Sequence, residues 1–305
     1  MGLFDKPEVT ILKDSNAAKD YLAKLEALLT ETNDKNLADK LEKEIAITKA
    51  GIAGEDAIMF ELRNSGMDLV VLHDLYIETE DGKGAQIDFI VITPYANVFI
   101  ECKNMFGNIT IDNHGNFIRE FSYGRHKVKE GIYNPVTQNE RHMTIIKECR
   151  AAQKGAIMSA LYRKNFDTYN KSLVVLANPK TVLYDRYAPK SVKSQVIRGD
   201  QLVSVLKGIK TDVKSKKSEM ISFGENLLRL NKDNRTDYFE KFENMKAETS
   251  NEPEQKQIGE SEGTKLICPR CGRELVLRTS TKGENAGEPF YGCSGFPKCW
   301  YTQKP

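Results

Sequence analysis

Apolar residues crowd three short stretches of this chain. Residues 69–78 open on Leu69-Val70-Val71-Leu72, residues 86–93 run Gln86-Ile87-Asp88-Phe89-Ile90-Val91-Ile92, and residues 97–103 contain Val98-Phe99-Ile100. Such β-branched and aromatic runs predict strands that are buried on both faces. Pro94-Tyr95-Ala96-Asn97 can turn the chain between the second and third, which makes them neighbours. Two shorter strands are expected at Asn108–Ile111 and Asn116–Glu120, around the turn Asn113-His114-Gly115. A helical period marks residues 16–30 and 36–64. Leu37, Leu41, Ile45 and Thr48 form one stripe, Ile58, Phe60 and Leu62 form a second, more buried one, and Gly51 and Gly54 interrupt between them. Residues 136–163 read as one long helix with Ile145, Ile146, Cys149, Ile157 and Leu161 on its apolar side. A buried strand at 172–177, a short one at Val196-Ile197, a helix at 201–209 capped by Asp200, and two helical pieces over 219–247 complete the body. This order predicts an α/β mixed sheet flanked by helices.

Charge enters this pattern where it is costly. Glu101 and Lys103 stand in the third strand, and Asp88 in the second. Unpaired charges in a sheet core are strongly disfavoured. Residues two apart on a strand share a face, so Glu101 and Lys103 face the same way. The turn brings Asp88 alongside. Two carboxylates can hold a hard cation, Mg²⁺ or Mn²⁺, and the lysine can face developing negative charge. The plainer alternative is a structural ion-pair network. Glu55 follows the two glycines, at the expected start of a helix that can aim it at the cation. Gln86 shares the face of Asp88. Asn134-Pro135-Val136-Thr137-Gln138 opens the long helix, with Pro135 suited to an early helical position and Gln138 on the first turn, where backbone N–H groups favour phosphate.

Composition separates the body from its tail. The chain has 305 residues and a net charge of +2. Residues 121–219 nevertheless hold 20 Lys/Arg against 8 Asp/Glu, and residues 243–262 hold 6 acidic residues against 2 lysines. A basic stretch beside a carboxylate site suits a polyanion such as nucleic acid. Residues 248–264 contain no apolar run and read as a flexible acidic linker. Beyond them lie Cys268-Pro269-Arg270-Cys271 and Cys293-Ser294-Gly295-Phe296-Pro297-Lys298-Cys299. Two local thiol pairs are the tetrahedral set that Zn²⁺ prefers, and a segment of about 40 residues needs metal to be stable. Leu275–Arg278 and Pro289–Gly292 are its expected strands. Phe290, Tyr291, Phe296, Trp300 and Tyr301 beside Arg270, Arg273, Arg278, Lys282 and Lys298 suit base stacking with phosphate contacts. Arg270, Arg278, Lys298, Trp300 and Tyr301 are the expected nucleic-acid contacts, the last two because they lie past the final cysteine. Clustered cysteines indicate a reducing compartment. No stretch nears the roughly 18 apolar residues of a membrane span, and no hydrophobic signal core follows Met1. The expectation is a cytoplasmic protein, compatible with the nucleoid.

The motif set resembles a known group. Gly51-x-x-Gly54-Glu55, Gln86-Ile87-Asp88, Ile100-Glu101-Cys102-Lys103-Asn104, Gly107 and Asn134-Pro135-x-x-Gln138 look like the nuclease-related domain (NERD) family, over about residues 48–165. That family is similar to the restriction-endonuclease-like PD-D/ExK superfamily. The resemblance implies a restriction-endonuclease-like sheet and a metal-dependent phosphodiesterase, with Asp88 and Glu101 as Mg²⁺ ligands and Lys103 at the attacking water or scissile phosphate. Glu55 would match the superfamily's helical acidic residue and Gln138 an accessory polar one. Ile87 stands where the superfamily's "PD" pair has proline. Cys268-Pro-x-Cys271-Gly, Leu275, Arg278, Gly283, Phe290, Cys293-Ser, Pro297 and Cys299 resemble the C-terminal zinc ribbon of bacterial type IA DNA topoisomerases, which implies single-stranded DNA as partner. The body of a topoisomerase has no room here. The expected domains are a helical region at 1–47, the nuclease-like core at 48–165, an α/β extension at 166–247, the linker at 248–264 and the ribbon at 265–305. Three functions compete: a metal-dependent DNA endonuclease or DNA-processing enzyme, a non-catalytic DNA-binding scaffold, and an RNA-directed nuclease. Asp88, Glu101 and Lys103 occurring together favour the first.

Overall fold

The computed structural model describes residues 6–233, 238–250, 266–279 and 289–304. The chain divides into two compact units, Met1–Thr249 and Ser250–Pro305. The expected linker at 248–264 falls almost wholly outside the described residues, as do Lys282 and Gly283.

The larger unit is built on a six-stranded mixed sheet. Its strands are β1 (Val9–Asp14), β2 (Leu69–Glu78), β3 (Gly84–Ile92), β4 (Asn97–Lys103), β8 (Asn170–Leu176) and β10 (Val196–Arg198), in that spatial order. β2, β3 and β4 are antiparallel neighbours, while β1–β2, β4–β8 and β8–β10 pair in parallel. Helix α2 (Lys35–Arg63) and the short α6 (Leu202–Gly208) cover one face through Ile58, Met59, Leu62, Leu202 and Leu206. The other face packs on α3 (Pro135–Ala152), α4 (Ala156–Tyr169) and α7 (Lys217–Leu228) through Met143, Ile146, Phe166, Met220 and Leu227. Fully burying side chains such as Phe89 or Phe99, at about 1.5–3 kcal/mol each, supplies the main drive for this layering. Helix α1 (Ala17–Glu31) pairs with the first half of α2, and α8 (Glu240–Ser250) adds Phe242 to their core of Leu25, Leu28, Leu37 and Leu41. A second sheet, in the order β7 (His126–Ile132), β6 (Phe117–Tyr123), β5 (Asn108–Ile111) and β9 (Leu183–Tyr184), follows β4.

Several expectations change. Gly51 and Gly54 do not break the helix, because α2 runs through both. Phe60 is 64% exposed, since only residues 58, 59 and 62 turn toward the sheet. The expected long helix is two, separated at Lys154-Gly155, so the stripe does not continue: Ile157 is 85% exposed and Leu161 is also exposed. Asp200 lies in a 3₁₀ turn paired with Arg198 and does not cap α6.

The smaller unit is a three-stranded antiparallel ribbon of β11 (Leu275–Thr279), β12 (Pro289–Cys293) and β13 (Thr302–Gln303). Its core is Cys268, Leu275, Cys293 and Cys299, with Tyr291 and Tyr301 packed against it. Tyr301 is therefore part of the packing, not a freely exposed surface.

Candidate active site and metal centre

The carboxylates meet at a fork between two strands. β3 and β4 pair from Ile92–Asn97 to Phe89–Ile100 and no further. β4 stays paired to β8 as far as Lys103, and β3 stays paired to β2. The parting frees the N–H of Cys102, and Asp88 Oδ2 accepts it at 2.7 Å. Burial first, and the neighbouring Glu101 second, hold the Asp88 carboxyl well above the usual carboxylate range. Glu101, only 2% exposed, takes the Lys103 ammonium on Oε1 at 2.6 Å. The same ammonium donates to Gln138 Oε1 at 3.2 Å.

Gln138 reaches the fork from the first turns of α3. Asn134 caps that helix by accepting from Val136 N and Thr137 N, and Pro135 fits the opening turn. Asn139, buried, donates to Phe99 O at 2.8 Å and Ser172 Oγ at 3.0 Å, which ties the helix to the sheet. One turn on, His142 Nδ1 stands 3.5 Å from Glu101 Oε2 and has no hydrogen-bond partner among the described residues. Burial holds its imidazole below the ordinary histidine range.

Glu55 approaches from the opposite side, in the middle of α2 and not at a helix start. Gly54 permits this: a Cβ there would lie 2.5 Å from Asn104 Cβ and 3.0 Å from Cys102 Sγ. Gly51 has open space around it and plays no such part. Asn104 Nδ2 donates to Ala50 O at 2.7 Å, fastening the end of β4 to the helix. Cys102 packs into the core beneath, and burial pushes its thiol well up. Glu55 Oε2 accepts from Asn16 Nδ2 at 2.8 Å and meets His73 Nε2 at 3.1 Å. His73 is buried, lies 3.3 Å from Asp14 Oδ1 through Nδ1, and stacks on Phe89 with ring centroids 4.4 Å apart. Beside it Asp74 takes φ +59° and accepts from Gln86 Nε2 and Ala17 N.

The structure thus gathers Asp88, Glu101, Lys103 and Gln138 at one fork, with Glu55 facing them. His73 and His142 were not among the expected site residues. Their signals were present: His142 follows Gln138 by four, which is one helical face, and His73 opens a polar pair, His73-Asp74, inside an otherwise apolar run.

In the ribbon, the four cysteines converge. Their sulfur atoms all lie within 4.8 Å of one another, the one such cluster of His, Cys, Asp or Glu among the described residues. Cys268–Cys299 and Cys271–Cys293 stand at 3.8 and 3.3 Å. Tetrahedral zinc with bonds of about 2.3 Å sets sulfurs roughly 3.7 Å apart, so the donor set fits Zn²⁺. The thiols already titrate apart. Hydrogen bonds from the Arg273 amide and from Cys293 bring Cys271 down to about 7. The Gly295 amide acts the same way on Cys293, but burial and the adjoining sulfurs outweigh it and raise that thiol to about 12. Arg270, Arg278, Lys298 and Trp300 are all exposed. Trp300 lies edge-on to Phe296 at 4.7 Å, and the Arg278 guanidinium sits 6.0 Å from the Phe296 ring.

The class this defines is a helix-flanked mixed sheet with an acidic fork, joined to a four-cysteine ribbon. Comparison with known proteins agrees with both parts. Residues 50–177 match the family described as nuclease-related domain (NERD), and residues 265–305 match the topoisomerase DNA binding C4 zinc finger. The chain therefore carries a NERD-like domain and a C4 ribbon similar to those of topoisomerases. Among curated proteins it is similar to DNA topoisomerase 1 of Pyrococcus horikoshii, 26% identical over 160 residues that cover 50% of this chain and 21% of that one. DNA topoisomerase 1 of Methanocaldococcus jannaschii is 49% identical over 37 residues, covering 12% and 4%. That of Campylobacter jejuni is 40% identical over 63 residues, covering 20% and 8%. These matches span about a fifth or less of the relatives' own length. No solved structure matches significantly. Among the described residues no helix is long and apolar enough to cross a membrane.

Proposed function

We propose that this chain is a divalent-metal-dependent nuclease of the PD-D/ExK type that acts on DNA, with the ribbon as a zinc-dependent DNA-binding module. The observation that carries the reading is the strand fork, which sets Asp88 beside Glu101 and within reach of Lys103 and Gln138. Two adjoining carboxylates, one held well above the usual carboxylate range by burial and by the other's charge, are an oxygen donor set that a hard cation would relieve. Asp88 and Glu101 would hold Mg²⁺ or Mn²⁺. Such an ion supplies Lewis acidity at a phosphate oxygen and a more acidic bound water. Lys103 shifts its ammonium from Glu101 toward the non-bridging oxygens of the scissile phosphate as their charge grows. Gln138 holds that ammonium, or a water, by hydrogen bond. Glu55, fixed on one oxygen by His73 and Asn16, orders the side of the site facing α2. The ribbon offers Arg270, Arg278 and Lys298 to phosphates and Trp300 to a base.

The test is cleavage of supercoiled, linear and single-stranded DNA, and of RNA, with Mg²⁺ or Mn²⁺. Asp88→Ala and Glu101→Ala proteins run alongside, and Mn²⁺ binding is followed by calorimetry. Wild type should cut DNA, and each variant should lose both cutting and the body's metal binding while staying folded. DNA binding without cutting under any metal would leave a scaffold that keeps the nuclease fold. Cutting confined to RNA would reassign the substrate.

A further inference from the structure

The loop that follows Lys103 presents a large aromatic ring to solvent on a rigid frame. Phe106 is 58% exposed and lies three residues past Lys103. Its backbone is fastened on both flanks. Arg119 Nε donates to Phe106 O at 2.7 Å, and Thr181 Oγ1 donates to Met105 O at 3.1 Å and Gly107 O at 2.9 Å. Gly107 takes φ +107°, and a Cβ there would meet Glu120 O at 2.6 Å and Phe121 Cβ at 2.8 Å, so only glycine lets the loop lie this close on β6. The Phe106 ring meets Phe121 edge-on at 6.2 Å. Arg119 is occupied in this frame, over Phe121 at 4.3 Å and against Glu130 at 3.2 Å.

The same ring lines a concave face of about 640 Å³ together with Phe121, Asn108, Lys127, Lys129 and Lys180. Glu120 neutralises Lys129 at 2.7 Å, but among the described residues no carboxylate pairs with Lys127 or Lys180. A solvent-facing aromatic ring on a fastened loop, sharing one concave face with two uncommitted ammonium groups, matches a base beside its phosphates. An intact duplex keeps its base faces stacked inside, so a base can reach Phe106 only where the strand is unpaired. Continuity along the chain from Lys103 sets this surface at the end of the strand that carries the carboxylate site.

We propose that this face holds unpaired nucleotides flanking the phosphate at the fork, with Phe106 stacking on a base and Lys127 and Lys180 on the backbone. The proposal rests on the nuclease reading for the identity of the fork, but its test does not require cleavage. Trp300 is the chain's one tryptophan. In full-length protein carrying Asp88→Asn, Trp300→Phe and Phe106→Trp, the new indole at 106 becomes the sole tryptophan reporter. An oligodeoxynucleotide single strand should quench it saturably, and a blunt duplex of the same sequence should not. Adding Lys127→Ala and Lys180→Ala should weaken the quenching titration by about tenfold at low salt and flatten its salt dependence. Absence of quenching, or equal quenching by duplex and single strand, overturns the proposal. Failure of the wild type to cut any nucleic acid overturns the nuclease reading instead, and the quenching result is independent of it.

Discussion

At the residue scale the site is a balance between like charges and one ammonium. Lys103 is the only cation in hydrogen-bond contact with Glu101 among the described residues, and it also holds Gln138. Lys103→Ala should lower the single-turnover cleavage rate by at least about 10²-fold, the scale of losing one electrostatic contact to the transition state. DNA affinity should change little, since many other basic residues hold the backbone. A variant that binds poorly yet cuts normally at saturation would move Lys103 to the DNA-holding surface. Asp88 gives a pH signature. Its folded carboxyl titrates above the unfolded value of about 3.9, for reasons of burial and then Glu101. The folded state therefore holds a proton that the unfolded chain releases. Metal-free stability should fall as pH rises from that unfolded value through the raised folded one. Asp88→Asn removes the loss while its amide oxygen can still accept from Cys102 N. Its melting temperature relative to wild type should be near parity in acid and should climb toward neutral pH. A pH-independent difference would mean that Asp88 ionises freely.

At the scale of elements, the contact between α2 and the end of β4 decides how Glu55 is presented. Gly51 and Gly54 sit three apart in the same helix with opposite surroundings. Gly51→Ala should stabilise by roughly 0.5–1 kcal/mol, as helix propensity dictates for an open position. Gly54→Ala should destabilise by about 1–3 kcal/mol, because its Cβ would overpack the Asn104 side chain. Denaturant midpoints of the two variants give the comparison, and equal shifts would mean that the helix and strand do not meet so closely. The sequence made the strands at 69–78 and 97–103 legible to the residue, because short runs rich in β-branched and aromatic residues fit a buried strand better than a helix. It did not reveal β1 or β7. β1 is a short strand at the sheet edge, and β7 reads His126-Lys127-Val128-Lys129-Glu130, a polar edge that borrows its order from β6. Asp88, Glu101 and Lys103 were legible as charges out of place, and Gln138 as a helix opening. The fork itself was not, since the length of a strand pairing depends on partners far along the chain. The same holds for His73, whose meaning comes from Glu55 and Asp14 across three elements.

At the scale of the whole molecule, the chain forms two units with separate cores. None of Glu55, Asp88, Glu101, Lys103 and Gln138 lies beyond residue 249, the end of the larger unit. Truncation to 1–249 should weaken DNA binding and its salt dependence while cleavage persists at saturating enzyme. A dead but folded truncation would mean that the ribbon completes the active site. A zinc chelator, or Cys268→Ser, should unfold the ribbon without shifting the main thermal transition of the body, because a unit this small would owe its stability to zinc held by the four cysteines. Two separate transitions in calorimetry, only the smaller sensitive to chelation, are the expected record.

Helix α2 begins at Lys35, yet similarity to the nuclease-related family begins at residue 50. The start of the family match and the start of the helix therefore fall at different places on one rod, which at 1.5 Å per residue is about 43 Å long. Its first half is anchored among Leu25, Leu28 and Phe242, and its second half presents Glu55. A protein trimmed to the shared segment would leave Glu55 little more than one turn from a fraying end. It would also lose Asp14 and Asn16, which steady His73 and Glu55. The segment that matches the family is thus not self-sufficient, and residues outside it supply contacts that steady His73 and Glu55.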